Sequence, residues 1–209
     1  MLAHLENVPD MNSFDRIEFR AKARFLRAYA YYWILQNQGP MILLGDELLD
    51  TNEEPSYYKK TRNTYDECVD YICKEFEAAA EGLPEEQPVD LIASPTSGAA
   101  LALVARLRLQ AASPLFNTNE PYMDFGTNNN LICLNEPKNM VWWERAAAVA
   151  DSCIRWAETN GCYLITDQGV DANYQYSWEV YDNPEIILAE KAAQGMGCLL
   201  YTSPSPRDS

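Results

Sequence analysis

Apolar residues recur at helical spacing along two lines between Ser13 and Gln38. Phe14, Ile17, Ala21, Phe25, Ala28, Tyr32 and Leu35 form one stripe, and Phe19, Ala23, Leu26, Ala30 and Trp33 form a second. A helix with two apolar faces is packed on two sides, so this segment is expected at the heart of an all-helical assembly. Its polar remainder, Arg16, Arg20, Arg24 and Arg27, runs as one line along the helix. Ser13 is the expected N-cap, with Asp15 at the positive end, and Gly39-Pro40 stops the helix.

The same periodicity predicts three further helices. Thr64-x-x-Glu67 is a capping box, and behind it Tyr65, Val69, Ile72, Phe76 and Ala79 share one face until Gly82-Leu83-Pro84. The first two helices read as an antiparallel pair. The polar connection between them, 45–60, is longer than a bundle needs, and loops of that length are often functional. Ser94-Pro95 offers an N-cap and a proline for the first turn of a helix over 96–115. That helix is rich in alanine and leucine, with Arg106 and Arg108 as its only charges, and is expected inside. A long polar loop over 117–139 precedes a helix over 141–159, with Trp142, Ala146, Val149, Cys153 and Trp156 on one face and Asn160-Gly161 closing it. Tyr163-Leu164-Ile165 and Glu185-Ile186-Ile187-Leu188 read as short strands flanking an aromatic-dense loop. The expected class is mainly α: tetratricopeptide-like helical hairpins with long loops and a few short strands, without a strict repeat. Residues 196–209 continue no pattern and read as a non-native tail, leaving 1–195 as a partial helical domain.

Composition narrows the functional classes. At 209 residues with 47% hydrophobic content, the chain can bury a sizeable core. A formal net charge of −15 argues against a nucleic-acid partner, and in so acidic a chain the arginine line is expected to pair with internal carboxylates. The six cysteines match no zinc spacing; they read as scattered buried thiols, with disulfides open if the protein is exported. A single histidine, His4, removes most nucleophilic triads and multi-histidine metal sites. No run of about twenty apolar residues is present to span a membrane, and the first residues lack a signal-peptide pattern, as expected of a cytoplasmic protein or of an internal piece. Glu144, Asp151, Glu158, Asp167, Asp171, Glu179 and Asp182 lie near aromatics, where a carboxylate pair could in principle hydrolyse a glycosidic bond. Acids on helix faces and loops are more commonly just solvated, and no nucleophile elbow, phosphate loop or dinucleotide fingerprint accompanies them. No catalytic residue, metal site or cofactor is assigned.

Aromatic side chains on loops carry more information. A sugar ring presents an apolar C–H face to an indole or phenol, while amides, carboxylates and guanidiniums take its hydroxyls. Tyr57, Tyr58, Tyr122, Tyr174, Tyr176, Trp178 and Tyr181 have that setting and are the ligand-binding candidates. The competing reading is that these rings cover the core; for Trp33, Trp142 and Trp156, at helical spacing, core packing is the expectation.

The segment R-x-K-A-R-F-L-R-A-Y-x-Y-Y, followed by Gln38-Gly39-Pro40-Met41-Ile42-Leu43, resembles the opening helix of the SusD/RagB family. Thr64-Tyr65-Asp66-Glu67 through Pro84, then Pro95 to Leu107 and Ala112-Ser113-Pro114-Leu115-Phe116-Asn117, look like its second and third helices. Trp143 with Ala146 to Ala150, Tyr163-Leu164 and Asn183-Pro184-Glu185-Ile186-Ile187 look like its fourth helix and following strand. These blocks follow family order from Ser13 to Ala189. The resemblance implies a non-catalytic lipoprotein of the outer-membrane surface that binds oligosaccharide or another nutrient and serves a SusC-like TonB-dependent transporter. It also implies a piece of a longer protein, without the lipid-bearing cysteine and much of the C-terminal half. The membrane would then be reached only through that absent anchor. The alternatives are a tetratricopeptide-like adaptor that binds protein and, third, a glycoside hydrolase.

Overall fold

Capping chemistry decides where the helices begin. The computed structural model describes residues 2–134 and 139–189, so the expected tail at 196–209 lies outside the described residues. Within them run six α-helices: α1 (Ser13–Gln38), α2 (Tyr65–Ala80), α3 (Ser97–Ala112), α4 (Asn129–Ile132), α5 (Met140–Thr159) and α6 (Asn173–Glu179). At α1 the cap is Asn12 rather than Ser13: its side chain accepts from the Asp15 backbone N–H at 2.8 Å. The capping box of α2 forms as expected, Glu67 N–H to Thr64 Oγ1 at 3.2 Å and Thr64 N–H to Glu67 Oε2 at 2.9 Å. At α3 the cap is Thr96, two residues after Ser94, because its hydroxyl is the one that reaches Ala99 N–H, at 3.2 Å. Helix α5 ends in a Schellman-type turn, with Cys162 N–H donating to Ala157 C=O at 2.9 Å and Gly161 at φ 72°.

The four long helices stack in sequence order, each antiparallel to the one before. The chain beyond α1 meets the chain before α2, Asn63 N–H to Met41 C=O at 2.9 Å, while Gly82 passes against Ile17 and Ala21 near the start of α1. Arg108, late in α3, pairs at 2.5 Å with Asp70, early in α2. Gly98, at the start of α3, lies under the Trp156 ring from the end of α5. The two long connections, 39–64 and 113–139, therefore emerge at one pole, which Tyr65 and Phe116 close by stacking at 4.0 Å.

The core is centred between α2 and α3, and α1 closes it with one face. The largest completely buried side chains are Tyr65, Val69, Ile72 and Phe76 of α2 and Val104 and Leu107 of α3, with Cys68 and Cys73 beside them. Burying an aliphatic or phenylalanine side chain of that size contributes about 1.5–3 kcal/mol. Helix α1 buries only Ala21, Phe25, Ala28, Tyr32 and Leu35. Its second stripe is uncovered, with Leu26 62% and Trp33 53% exposed, and so is Phe14 at the head of the first. Among the long helices α1 packs chiefly on α2 and touches α3 at its end, where Gln36 donates to Gln110 at 2.6 Å. The two-sided packing expected of it, and a core place for Trp33, are thus corrected, whereas Trp142 is buried as expected.

Four irregular segments also differ from expectation. Neither 163–165 nor 185–188 forms a strand. The two run together through Tyr163 N–H to Pro184 C=O at 3.1 Å, and Ile165 N–H then turns to the Glu185 carboxylate at 2.8 Å. Pro184 has no N–H to return, and a side chain replaces the next backbone acceptor, so no ladder develops. The aromatic loop after Gly169 winds into α6, and the polar loop over 117–139 carries the single turn α4. No helix among the described residues is long and apolar enough to cross a membrane.

Candidate functional site

The candidate aromatics fall into three groups, and no ring contact joins the groups among the described residues. Tyr57 and Tyr58 meet edge to face at 5.2 Å in the α1–α2 connection. The Tyr58 hydroxyl donates to Asp50 C=O and accepts from Glu53 N–H at 3.2 Å, so it is spent on closing its own loop. Tyr122 meets Phe125 at 6.0 Å in the α3–α5 connection. Asp124 braces that turn by accepting from Gly126 N–H and from Asn129, bonds that hold its carboxyl below the ordinary value.

The third group forms a concave site. Tyr174 and Trp178 stand one helical turn apart on α6, their ring centroids 6.2 Å apart and the planes tilted by 60°. Both are 74% exposed, and they line a cleft of about 830 Å³ with Tyr29 of α1, Leu103 and Arg106 of α3, and Glu185. Asn183 anchors this arrangement. Buried, it donates to Ser177 and Val180 carbonyls at 3.0 and 2.9 Å and accepts from Glu185 N–H at 3.1 Å, tying the end of α6 to the segment that follows. Arg106 is exposed and makes no ion pair among the described residues, unlike Arg108, which is held by Asp70. The cleft thus offers two aromatic faces beside a donor and an acceptor, a combination suited to a hydroxylated ring with apolar C–H faces. Tyr176, half-buried, and Tyr181, exposed, lie on the same stretch but do not line the cleft.

Sequence reasoning missed Tyr29, Arg106 and Glu185. Tyr29 falls outside both stripes of α1, and Glu185 is masked by the apolar run it opens. Arg106 carried a signal, since a charge in an otherwise apolar helix needs a use, but periodicity cannot say which element faces it.

The remaining ionisable groups have structural settings. Arg27 donates to Asp46 at 2.5 Å, to Glu75 at 2.6 Å and to Gly45 C=O at 3.0 Å, the carboxylate pairing expected of the arginine line. Arg16 donates to the Val8 and Met11 carbonyls of the chain before α1, at 3.1 and 3.2 Å. The shifted carboxylates, Asp46 beside Arg27, Glu67 under Thr64 N–H and Asp124, all move down, the wrong direction for a general acid. Cys68, Cys73, Cys133, Cys153 and Cys162 are free thiols. Burial raises them all, Cys73 to about 12, which keeps them protonated and poorly nucleophilic at neutral pH.

Residues 1–109 match the family SusD-like_3, described as starch-binding associating with outer membrane. Among solved structures, the protein designated BT4246 is similar at a TM-score of 0.67 and 28% identity, over 84% of this chain and 30% of that one. A SusD-like protein (BF3747) from Bacteroides fragilis NCTC 9343 matches 93% of this chain and 31% of its own, at a TM-score of 0.65 and 19% identity. A SusD-like carbohydrate-binding protein (BF0978) from the same organism shares the fold at a TM-score of 0.50 and 19% identity, over 74% of this chain and 24% of that one. The chain therefore spans about 30% of the length of the first solved structures it matches. No protein of curated function matches it.

Proposed function

Since this chain belongs to the SusD-like family by its match over residues 1–109, we propose that it is part of a non-catalytic binding protein of the outer-membrane surface. In that role it captures a glycan or other nutrient and delivers it to a SusC-like TonB-dependent transporter. The family match carries the reading, and the cleft at α6 supplies the chemistry. Tyr174 and Trp178 present tilted faces for sugar C–H groups, with Arg106 and Glu185 for hydroxyls. A site of this kind binds by stacking and hydrogen bonding alone and needs no group poised for proton transfer.

Calorimetric titration with neutral oligosaccharides tests it. Trp178→Ala should weaken binding by about tenfold, or about 1.4 kcal/mol, and Tyr174→Ala by a similar factor, with no loss of helix content, because both rings are largely exposed. Unchanged affinity in both variants would remove the cleft from the ligand path. Co-purification of a TonB-dependent transporter with Trp178→Ala would separate docking from ligand capture. Tight binding of a soluble protein, with no affinity for any glycan, would favour the adaptor reading instead.

A further inference from the structure

Within the arginine line of α1, Arg24 is the member with neither a hydrogen-bond acceptor nor an ion pair among the described residues. Its Nε is covered by protein and has no partner. Arg24 lies one turn from Arg20 and from Arg27 on the same face. The three wall a groove of about 660 Å³ with Leu2, Leu26 and, from the following loop, Leu48.

Among the described residues, the acids that line this groove are already engaged. Asp46 accepts from Arg27 at 2.5 Å and Glu47 from Lys60 at 2.5 Å. Arg24 acts on Asp46 only through space, after the Arg27 hydrogen bond. Just past the end of α2, Glu81 shares a second groove with Arg24 but makes no ion pair with it. With Nε covered, the Nη edge of Arg24 is the part that can meet an acceptor in the groove, and Arg20 and Arg27 one turn away add positive charge beside it.

We propose that this groove binds a carboxylate attached to an apolar body, the acid on the Arg24 guanidinium and the body on Leu2, Leu26 and Leu48. A guanidinium matches a carboxylate through two parallel N–H donors, a fit that an amide or hydroxyl cannot reproduce. Leucine side chains offer no hydrogen bonds, so the body they take is hydrocarbon or aryl rather than hydroxylated. That separates this ligand chemistry from the glycan proposed at α6, and the inference goes beyond that reading without depending on it.

Calorimetry with 4-phenylbutyrate and with 4-phenylbutyramide, its uncharged counterpart of nearly the same shape, tests the site. The acid should bind at least about tenfold tighter than the amide, with the preference falling as salt is added. Arg24→Gln should erase the preference, and Arg24→Lys should keep part of it, since a lysine retains the charge but not the fork. Leu48 is 74% exposed, so Leu48→Asp preserves the fold while placing a negative charge at the mouth, and it should abolish acid binding. Bound acid should raise the thermal midpoint of the wild type and not that of Arg24→Gln. Equal binding of acid and amide, an unchanged preference in Arg24→Gln, or no binding of the acid would each overturn the proposal.

Discussion

At Gly98 a methyl group in place of hydrogen would sit 2.1 Å from the Trp156 ring, well inside any permitted contact. The ring is held over the start of α3 from two sides: Trp156 Nε1 and Ser97 Oγ both donate to the Glu85 carboxylate. Neither the indole nor the helix can yield without breaking that bridge. Gly98→Ala is therefore expected to destabilise the protein by about 1–3 kcal/mol, even though alanine is the better helix former. The check is a chemical-denaturation midpoint. A midpoint that rose with helix propensity would show that the α3–α5 contact yields. Gly98 was legible only as one more small residue in an alanine-rich helix, because its constraint comes from a side chain nearly sixty positions away.

Among the elements, α2 was the most legible, because its start signal is contained in four consecutive residues. Thr64→Ala should cost about 1 kcal/mol. The Glu67 half of the box adds a pH dependence with a definite sign. Thr64 N–H, aided by Asn63, holds the Glu67 carboxyl below its ordinary value of 4.5. The contribution is therefore complete above pH 4.5 and is lost as pH falls through the lower, folded value. Glu67→Gln keeps a side-chain acceptor for Thr64 N–H, so its urea midpoint should lack this component of the acid-side decline; a decline identical to wild type would refute the assignment. The starts of α1 and α3 were displaced by one and two residues because several neighbouring side chains can cap, and only backbone geometry selects Asn12 and Thr96. The segment 173–179 hid its helix, since NYQYSWE has no apolar stripe and buries none of its side chains. The strand expectation failed because a run of β-formers says nothing of the partner, and here the partner begins at Pro184.

Over the whole molecule, periodicity was a sound guide to which helices form and a poor one to their place in the stack. A second stripe on α1 states that the surface is apolar, not that this chain supplies its cover. The cleft was illegible for a similar reason: its lining comes from α1, α3, α6 and the segment after Asn183, far apart in sequence. The stack itself has a measurable signature. With the largest completely buried side chains confined to α2 and α3, the amides of those two helices should outlast those of α1 and α5 in hydrogen exchange by about tenfold or more. Uniform protection over all four helices would indicate a single cooperative unit instead. The shared pole of the two long connections bears on how such a protein can change over generations. Each doubling of a connection's length adds only about 0.6 kcal/mol of closure entropy. Insertions in 39–64 and 113–139 accumulate on one side of an unaltered helical frame. That pole is where descendants of this chain can diverge in length and chemistry while the packed helices stay under constant selection.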